Sequence, residues 1–346
     1  MKEFISKVQK QFNDKLPFII YRKPNEDDLI GVFQRNDNLY LVNDFSEKGI
    51  VFCSFDNLQK IIIPTQHSET KIFKNDFEVR ELEPKSFENN TRVASEFQEL
   101  ISEGIAAIKN QEFQKVVLSR ETILEVDEID IISIISKLVT RYKSAFRYCF
   151  FHPKVGLWFG ATPEQLVKCE NNDFTTVSLA GTQQYQHSLD VLWNDKEINE
   201  QKIVTDFIAK NLETHSNNIS VSEPFTVQAG NLVHLKSIIS GKFSSNFDLN
   251  KCIKTLHPTP AICGMPRESA KKFIVENENY KREFYSGFLG ELNINNKTDL
   301  FVNLRCMKID NQKVHIYAGC GITKDSNPEK EFQESVIKSM TMQTLL

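Results

Sequence analysis

The sequence predicts an α+β fold, a single large domain in which antiparallel sheets pack with helices. Three observations carry this reading. Helical patterns bunch along the chain, strand candidates come in consecutive runs suited to antiparallel pairing, and the regular strand-helix alternation of a doubly wound sheet is missing. The 346 residues, 40% hydrophobic and 25% charged, suffice for a large core and exclude a disordered chain.

The elements follow in order. The opening MKEFISKVQKQF spaces apolar and charged residues helically and lacks the apolar run and cleavage site of a secretory leader. PFIIYRKP reads as a strand, and LIGVFQRNDNLYLV as a hairpin turning at Asn36 to Asn38. The polar stretch from about 65 to 92 reads as surface loop. A helix is predicted from Ser95 to Lys109, followed by a strand in FQKVVLSRETILEV, which is rich in β-branched residues, and a helix from Asp130 to Tyr142. FRYCFF and GLWFG are strands. Thr162 and Pro163 then resemble an N-cap and first helical residue, so a helix is predicted to start there. KEINEQKIVTDFIAKNL (196–212) is a helix, LVHLKSIISGKF a strand, and three strand candidates between 285 and 318 precede a last helix opened by Pro328. No internal repeat or low-complexity tract interrupts the chain.

Charge and motif content narrow the function. Lys and Arg number 42 against 46 Asp and Glu, spread along the chain for a net charge of −4, so no field points to nucleic acid or an anionic membrane. No apolar run approaches the roughly 20 residues of a membrane span. Seven scattered cysteines without a CxxC fit reduced thiols in the cytoplasm better than disulfides or zinc. GFLGEL and LAGTQQ match neither nucleotide-binding glycine pattern, so ATP and NAD are unsupported.

Several carboxylates and one lysine stand out. NPEKEFQESVIK aligns Glu331, Glu334 and Lys338 on one helix face, and Glu197 and Glu200 repeat the spacing on another helix. Each pair is either a solvated helix face or half of a site for a cation such as Mg²⁺, completed by water and an anionic ligand. Glu164 is either a charge in a first helical turn or, if buried, a general acid with a raised pKa. Lys115, at the head of a strand, is either a solvated edge charge or a base.

Eight motifs in order bring these residues together: KVVLSR (115–120), GATPEQL (160–166), SLAGT (178–182), KEINEQ (196–201), LHPTPAICGMPR (256–267), REFYSGFLGEL (282–292), VNLRC (302–306) and YAGCGI with EFQES (317–335). Their order resembles the chorismate-utilising enzymes, the family of anthranilate synthase component I, aminodeoxychorismate synthase, isochorismate synthase and salicylate synthase. The resemblance covers about residues 95–346, the expected catalytic region. Residues 1–94 carry no matching motif and are expected to complete the same fold.

The resemblance implies a Mg²⁺-dependent attack on chorismate at C2 with departure of the C4 hydroxyl. It implies that Glu200 and Glu334 contact the metal, with Glu197 and Glu331 holding its waters. Arg305 and the backbone around Gly319 and Gly321 would receive the enolpyruvyl carboxylate, with Lys338 and Tyr317 at the same end, and Ala180, Gly181 and Thr182 would lie beside the ring. Relatives that use ammonia resemble this chain but carry glutamine in place of Lys115, and aminodeoxychorismate synthases carry a nucleophilic lysine in place of Ala180. His257 is similar to isochorismate synthases, though it also reads as a satisfied loop histidine. The expected reaction is therefore that of isochorismate synthase, with Lys115 as base toward water and Glu164 as acid; the alternative is salicylate synthase, which would go on to eliminate pyruvate. A monomer without a glutaminase subunit is implied. Ser178, Glu197, Gln201 and Cys320 depart from the family pattern, which more often has proline, aspartate, histidine and a small residue there, and this leaves the surroundings of the metal helix in question.

Overall fold

The computed structural model describes residues 2–74, 77, 91–244 and 247–346. Two antiparallel sheets stack with helices on their outer sides. The nine-stranded sheet runs in spatial order Gly264–Met265, Lys115–Glu125, Lys313–Ile322, Cys306–Asp310, Gly156–Thr162, Phe146–His152, Phe18–Arg22, Leu29–Gln34 and Ser68–Phe73. The ten-stranded sheet runs Ser216–Val221, Leu232–Phe243, Asp173–Gln184, Gln165–Glu170, Lys297–Val302, Phe288–Ile294, Gly49–Cys53, Lys60–Pro64 and Tyr40–Leu41, with Phe225–Ala229 also paired to Leu232–Phe243. Phe18–Arg22 pairs with Phe146–His152, and Gly49–Cys53 with Phe288–Ile294, so strands from before residue 95 enter both sheets.

Aromatic side chains fill the space where the sheets meet. Phe52 stacks on Phe284 with centroids 4.3 Å apart and meets Trp158 edge-on at 5.8 Å. Phe146–His152 is buried at every position because core lies on both of its faces, and FRYCFFH accordingly shows no polar alternation. On the outer side of the larger sheet, the helix Asp195–Glu213 sets Val204, Ile208 and Leu212 at helical spacing against Val167, Phe174 and Ile239. Each such side chain stabilises the docking by about 2 kcal/mol. The last helix, Pro328–Gln343, inserts Phe332 among Ile101 of Thr91–Lys109 and Val116 and Leu118 of the strand that begins at Lys115. The two glutamate-bearing helices are therefore anchored independently of any charge they carry.

Several expectations need correction. LIGVFQRNDNLYLV is no hairpin, since Leu29–Gln34 lies in one sheet and Tyr40–Leu41 in the other. The Gln34 amide, donating to the carbonyls of Asn36 and Asn38 at 2.8 Å each, pins the connection that carries the chain across. The supposed loop from 65 to 92 begins with the short 3₁₀ turn Thr65–His67 and the strand Ser68–Phe73, whose alternating exposure reflects an edge position; residues 75–76 and 78–90 lie outside the described residues.

No helix starts at Pro163. The Thr162 hydroxyl accepts from the Glu164 N–H at 3.3 Å, a turn two residues long that imitates a cap, and the chain continues as the strand Gln165–Glu170. Glu164 thus has no helix dipole acting on it. Two helices, Leu249–Leu256 and Arg267–Asn277, were not expected, and the stretch read as three strands holds four between 288 and 322.

Candidate active site

The strands Lys115–Glu125 and Lys313–Ile322 pair so that Gly321 lies opposite Val117 and Gly319 opposite Ser119. Above this hairpin-like floor a cavity opens, bounded by Asp173–Gln184 and by the two glutamate-bearing helices. Glu164, Ala180, Gly181 and Thr182 line it together with Glu200, Arg305, Tyr317, Gly319, Gly321, Glu334 and Lys338. Glycine is required at two of these positions for different reasons. Gly181 has φ +73°, and a Cβ there would also stand 3.1 Å from that of Glu197. A Cβ on Gly321 would sit 2.3 Å from Glu200 Oε1, so a side chain there would push that carboxylate from its present place.

Lys115 is fully buried behind the cavity wall rather than along it. Its ammonium faces Glu200 Oε1 at 2.9 Å as an ion pair, off the hydrogen-bonding directions and without another polar partner. Burial works to raise the Glu200 pKa, but the charge and contact of Lys115, with Lys196 and Lys338 behind it, outweigh burial and hold it below the ordinary value. Glu164 is buried without such a contact. Burial pushes its carboxyl up to about 7, against the opposing charges of Lys115 and Lys338. One cavity therefore holds two carboxyl groups driven in opposite directions, an ionised Glu200 and a Glu164 that keeps its proton near neutral pH.

The far end of the cavity is cationic. Lys338 Nζ lies 2.7 Å from Glu334 and donates to the Gly319 carbonyl at 3.0 Å. Arg305, at φ +48°, donates from Nη2 to His234 Nε2 at 3.0 Å, and His234 Nδ1 donates to the Gly181 carbonyl at 2.9 Å. Burial, reinforced by Arg305, keeps the His234 pKa well below 6.5, which makes it the neutral acceptor this chain of bonds requires. The sequence reading missed His234; a histidine inside the strand pattern LVHLK carries no local signal of a site. Tyr317 stacks on Trp158 and Tyr285 with centroids 5.6 and 5.5 Å away, making a rigid wall.

Besides Lys115, three sequence-predicted site residues do not line the cavity. His257 is a satisfied core histidine: its Nε2 meets the Ser286 carbonyl at 3.0 Å, its Nδ1 meets the Asn57 amide at 3.3 Å, and burial lowers its pKa to about 4. Glu197 closes the capping box of its own helix by accepting from the Asn194 N–H at 3.1 Å. Glu331 is buried and ion-paired with Lys196. Burial and the charge of Glu334 raise its pKa against the pull of Lys196. Among the described residues no three His, Cys, Asp or Glu side chains form a metal-holding group, so the four glutamates do not converge as expected. The donor chemistry nevertheless suits a hard divalent cation. Glu200 and Glu334 offer carboxylate oxygens from separate helices into one cavity, and the space left by Gly321 accommodates the first of them.

Residues 45–346 match the chorismate binding enzyme family. The chain belongs to that family. It is 28% identical over 256 residues to isochorismate synthase EntC of Escherichia coli (strain K12), a stretch covering 71% of this chain and 66% of EntC, just under two thirds of that relative's length. Two solved structures share its fold. MenF, the menaquinone-specific isochorismate synthase from Escherichia coli, aligns with a TM-score of 0.80 at 22% identity over 95% of this chain and 88% of its own. Anthranilate synthase component I from Streptococcus pneumoniae TIGR4 aligns at 0.71 and 20% identity over 94% and 92%. Within this chorismate-binding fold no helix among the described residues is long and apolar enough to cross a membrane.

Proposed function

We propose that this chain is an isochorismate synthase that converts chorismate to isochorismate with Mg²⁺. The observation that carries the reading is the pairing of roles at the cavity. Glu164 has a pKa near 7 and can donate a proton, while Lys115, buried behind the cavity wall and held by Glu200, is the candidate base. Arg305, fixed by the neutral His234, and Lys338 face a carboxylate of the substrate from the cationic end.

Lys115, once its ammonium has given up a proton to solvent, takes a proton from water as the neutral amine, and the resulting hydroxide forms a bond to C2 of the ring. The ring double bonds shift, and the C4–O bond breaks. Glu164 gives its proton to the departing hydroxyl, so water enters and water leaves. Bound Mg²⁺, held by Glu200 and Glu334, would neutralise the ring carboxylate and draw electron density from the reacting carbons. Ala180 has no side-chain amine to compete as nucleophile. Solvent returns a proton to Glu164 and removes one from Lys115, and because water both enters and leaves, the reaction is reversible.

We place this reaction in the cytoplasm and assign it to a monomer without a glutaminase subunit; seven buried free thiols are consistent with a reducing compartment. The test is chromatography of chorismate incubated with the purified protein and MgCl₂. Isochorismate in equilibrium with chorismate is expected. Stoichiometric pyruvate, or anthranilate on adding ammonium, would overturn the assignment.

A further inference from the structure

Lys196 lies in the first turn of Asp195–Glu213, yet its ammonium reaches across to Glu331 of the last helix, 135 residues away. The same ammonium feels the charges of Glu200 and Glu334. Its side chain therefore bridges the two glutamate-bearing helices and lines the same cleft as Glu200. We propose that Lys196 is a tethered counter-cation which a divalent metal must displace, and that this exchange sets the metal affinity of the site. The inference rests on the cation reading given above and adds to it a named competitor within the chain.

Charge balance supports the exchange. Glu200, Glu331 and Glu334 each pair with one lysine: Lys115, Lys196 and Lys338 in turn. The cluster is already neutral, so a divalent ion adds two positive charges to a site with no negative charge to spare. Withdrawal of one lysine halves that excess.

Geometry selects which one. The Lys115 side chain is 0% exposed and enclosed by strands. Lys338 is held twice, by Glu334 and by the Gly319 carbonyl. The Lys196 side chain is 28% exposed, against 3% for its partner Glu331, and lines a cleft of about 610 Å³ on the outer side of Glu200. Asp195 and Asp325 line that cleft as well and offer the ammonium new counter-charges. Glu200 borders both this cleft and the cavity, so the ammonium can swing outward without crossing the space the substrate occupies.

The test is isothermal titration of the chelator-stripped full chain with MgCl₂, without chorismate, at low ionic strength. Lys196→Met keeps the apolar stem and removes the charge. Its Mg²⁺ Kd is expected to fall tenfold or more below wild type, and its Tm to rise more on adding Mg²⁺. Lys202→Gln, on the same helix with an exposed side chain paired to Asp206, is expected to match wild type. Lys196→Arg, which preserves the charge and guards against a folding defect in the methionine variant, is expected to bind Mg²⁺ no more tightly than wild type. Equal or weaker Mg²⁺ binding by Lys196→Met, or tighter binding by Lys196→Arg, would overturn the displacement while leaving the cation site standing. Absence of Mg²⁺ binding by all four proteins would overturn the cation reading itself, and the displacement with it.

Discussion

Glu164→Gln should make the protein more stable at alkaline pH while disabling it. Moving this carboxyl from its ordinary 4.5 to about 7 disfavours its charged form in the folded protein by about 3 kcal/mol. The sign follows from proton linkage. Between pH 4.5 and 7 the folded chain binds the Glu164 proton and the unfolded chain does not, so stability from this group falls as pH rises through that window. Below pH 4.5 both states are protonated and the group is neutral in effect. Above pH 7 the full penalty of about 3 kcal/mol is present. Glutamine cannot ionise and escapes it. Denaturant unfolding of wild type and variant in chelator, at pH 4.5 and pH 8, isolates the effect: any fixed cost of the amide appears at both pH values, whereas the relative gain of the variant should grow by about 3 kcal/mol between them. The same substitution should lower kcat by about 10² or more with chorismate still bound, and should remove the limb of the pH profile that falls above about pH 7. A stability difference independent of pH would refute the raised pKa, and near wild-type kcat would refute the acid role.

Three further outcomes follow from the same geometry. Lys115→Gln and Lys115→Arg should both lower kcat about 10²-fold, because arginine restores the charge opposite Glu200 but cannot release a proton; an active Lys115→Arg in steady-state assays would reduce Lys115 to a counter-charge. Excess chelator should abolish turnover, and Glu200→Ala should remove it at saturating chorismate; full activity in chelator would sink the metal assignment. Gly321→Ala, placing a methyl 2.3 Å from Glu200 Oε1, should displace that carboxylate and weaken Mg²⁺ binding at least tenfold by calorimetry, with an unchanged Kd as the contrary result.

What the sequence revealed and concealed divides along the range of the forces involved. Thr91–Lys109, Asp195–Glu213 and Pro328–Gln343 are legible because an amphipathic face repeats every turn within each segment. The partner of a strand is not a local property. The turn at Asn36 to Asn38 is visible, but nothing in it says that Tyr40–Leu41 joins Lys60–Pro64 in the other sheet. Thr162 and Pro163 misled for a related reason, since a hydroxyl that accepts from the N–H two residues on serves a turn as well as a cap. The burial of Glu164, on which its chemistry depends, comes instead from two sheets meeting at that turn.

The site shows the same division. Lys115, Glu164, Glu200 and Arg305 are legible through ordered motifs, whereas His234, which orients Arg305, is visible only once Leu232–Phe243 pairs with Asp173–Gln184 and sets it beside Gly181. Two departures from the family pattern, Ser178 and Gln201, look in the sequence like separate irregularities. In the fold they meet: Gln201 Nε2 donates to Ser178 Oγ at 3.1 Å and to Ser237 Oγ at 2.9 Å, behind the strand that carries Ala180 and Gly181. Thr205 Oγ1 accepts from the same amide at 2.8 Å, so Ser178 is one of three hydroxyls gathered around it. Ser178 and Gln201, one turn beyond Glu197, thus join the helix that carries Glu200 to the strand that carries Ala180 and Gly181 through buried hydrogen bonds. Each of those bonds contributes about 1 kcal/mol, and because Ser237 and Thr205 would still take up both amide N–H groups, loss of the Ser178 hydroxyl should cost no more than that single bond.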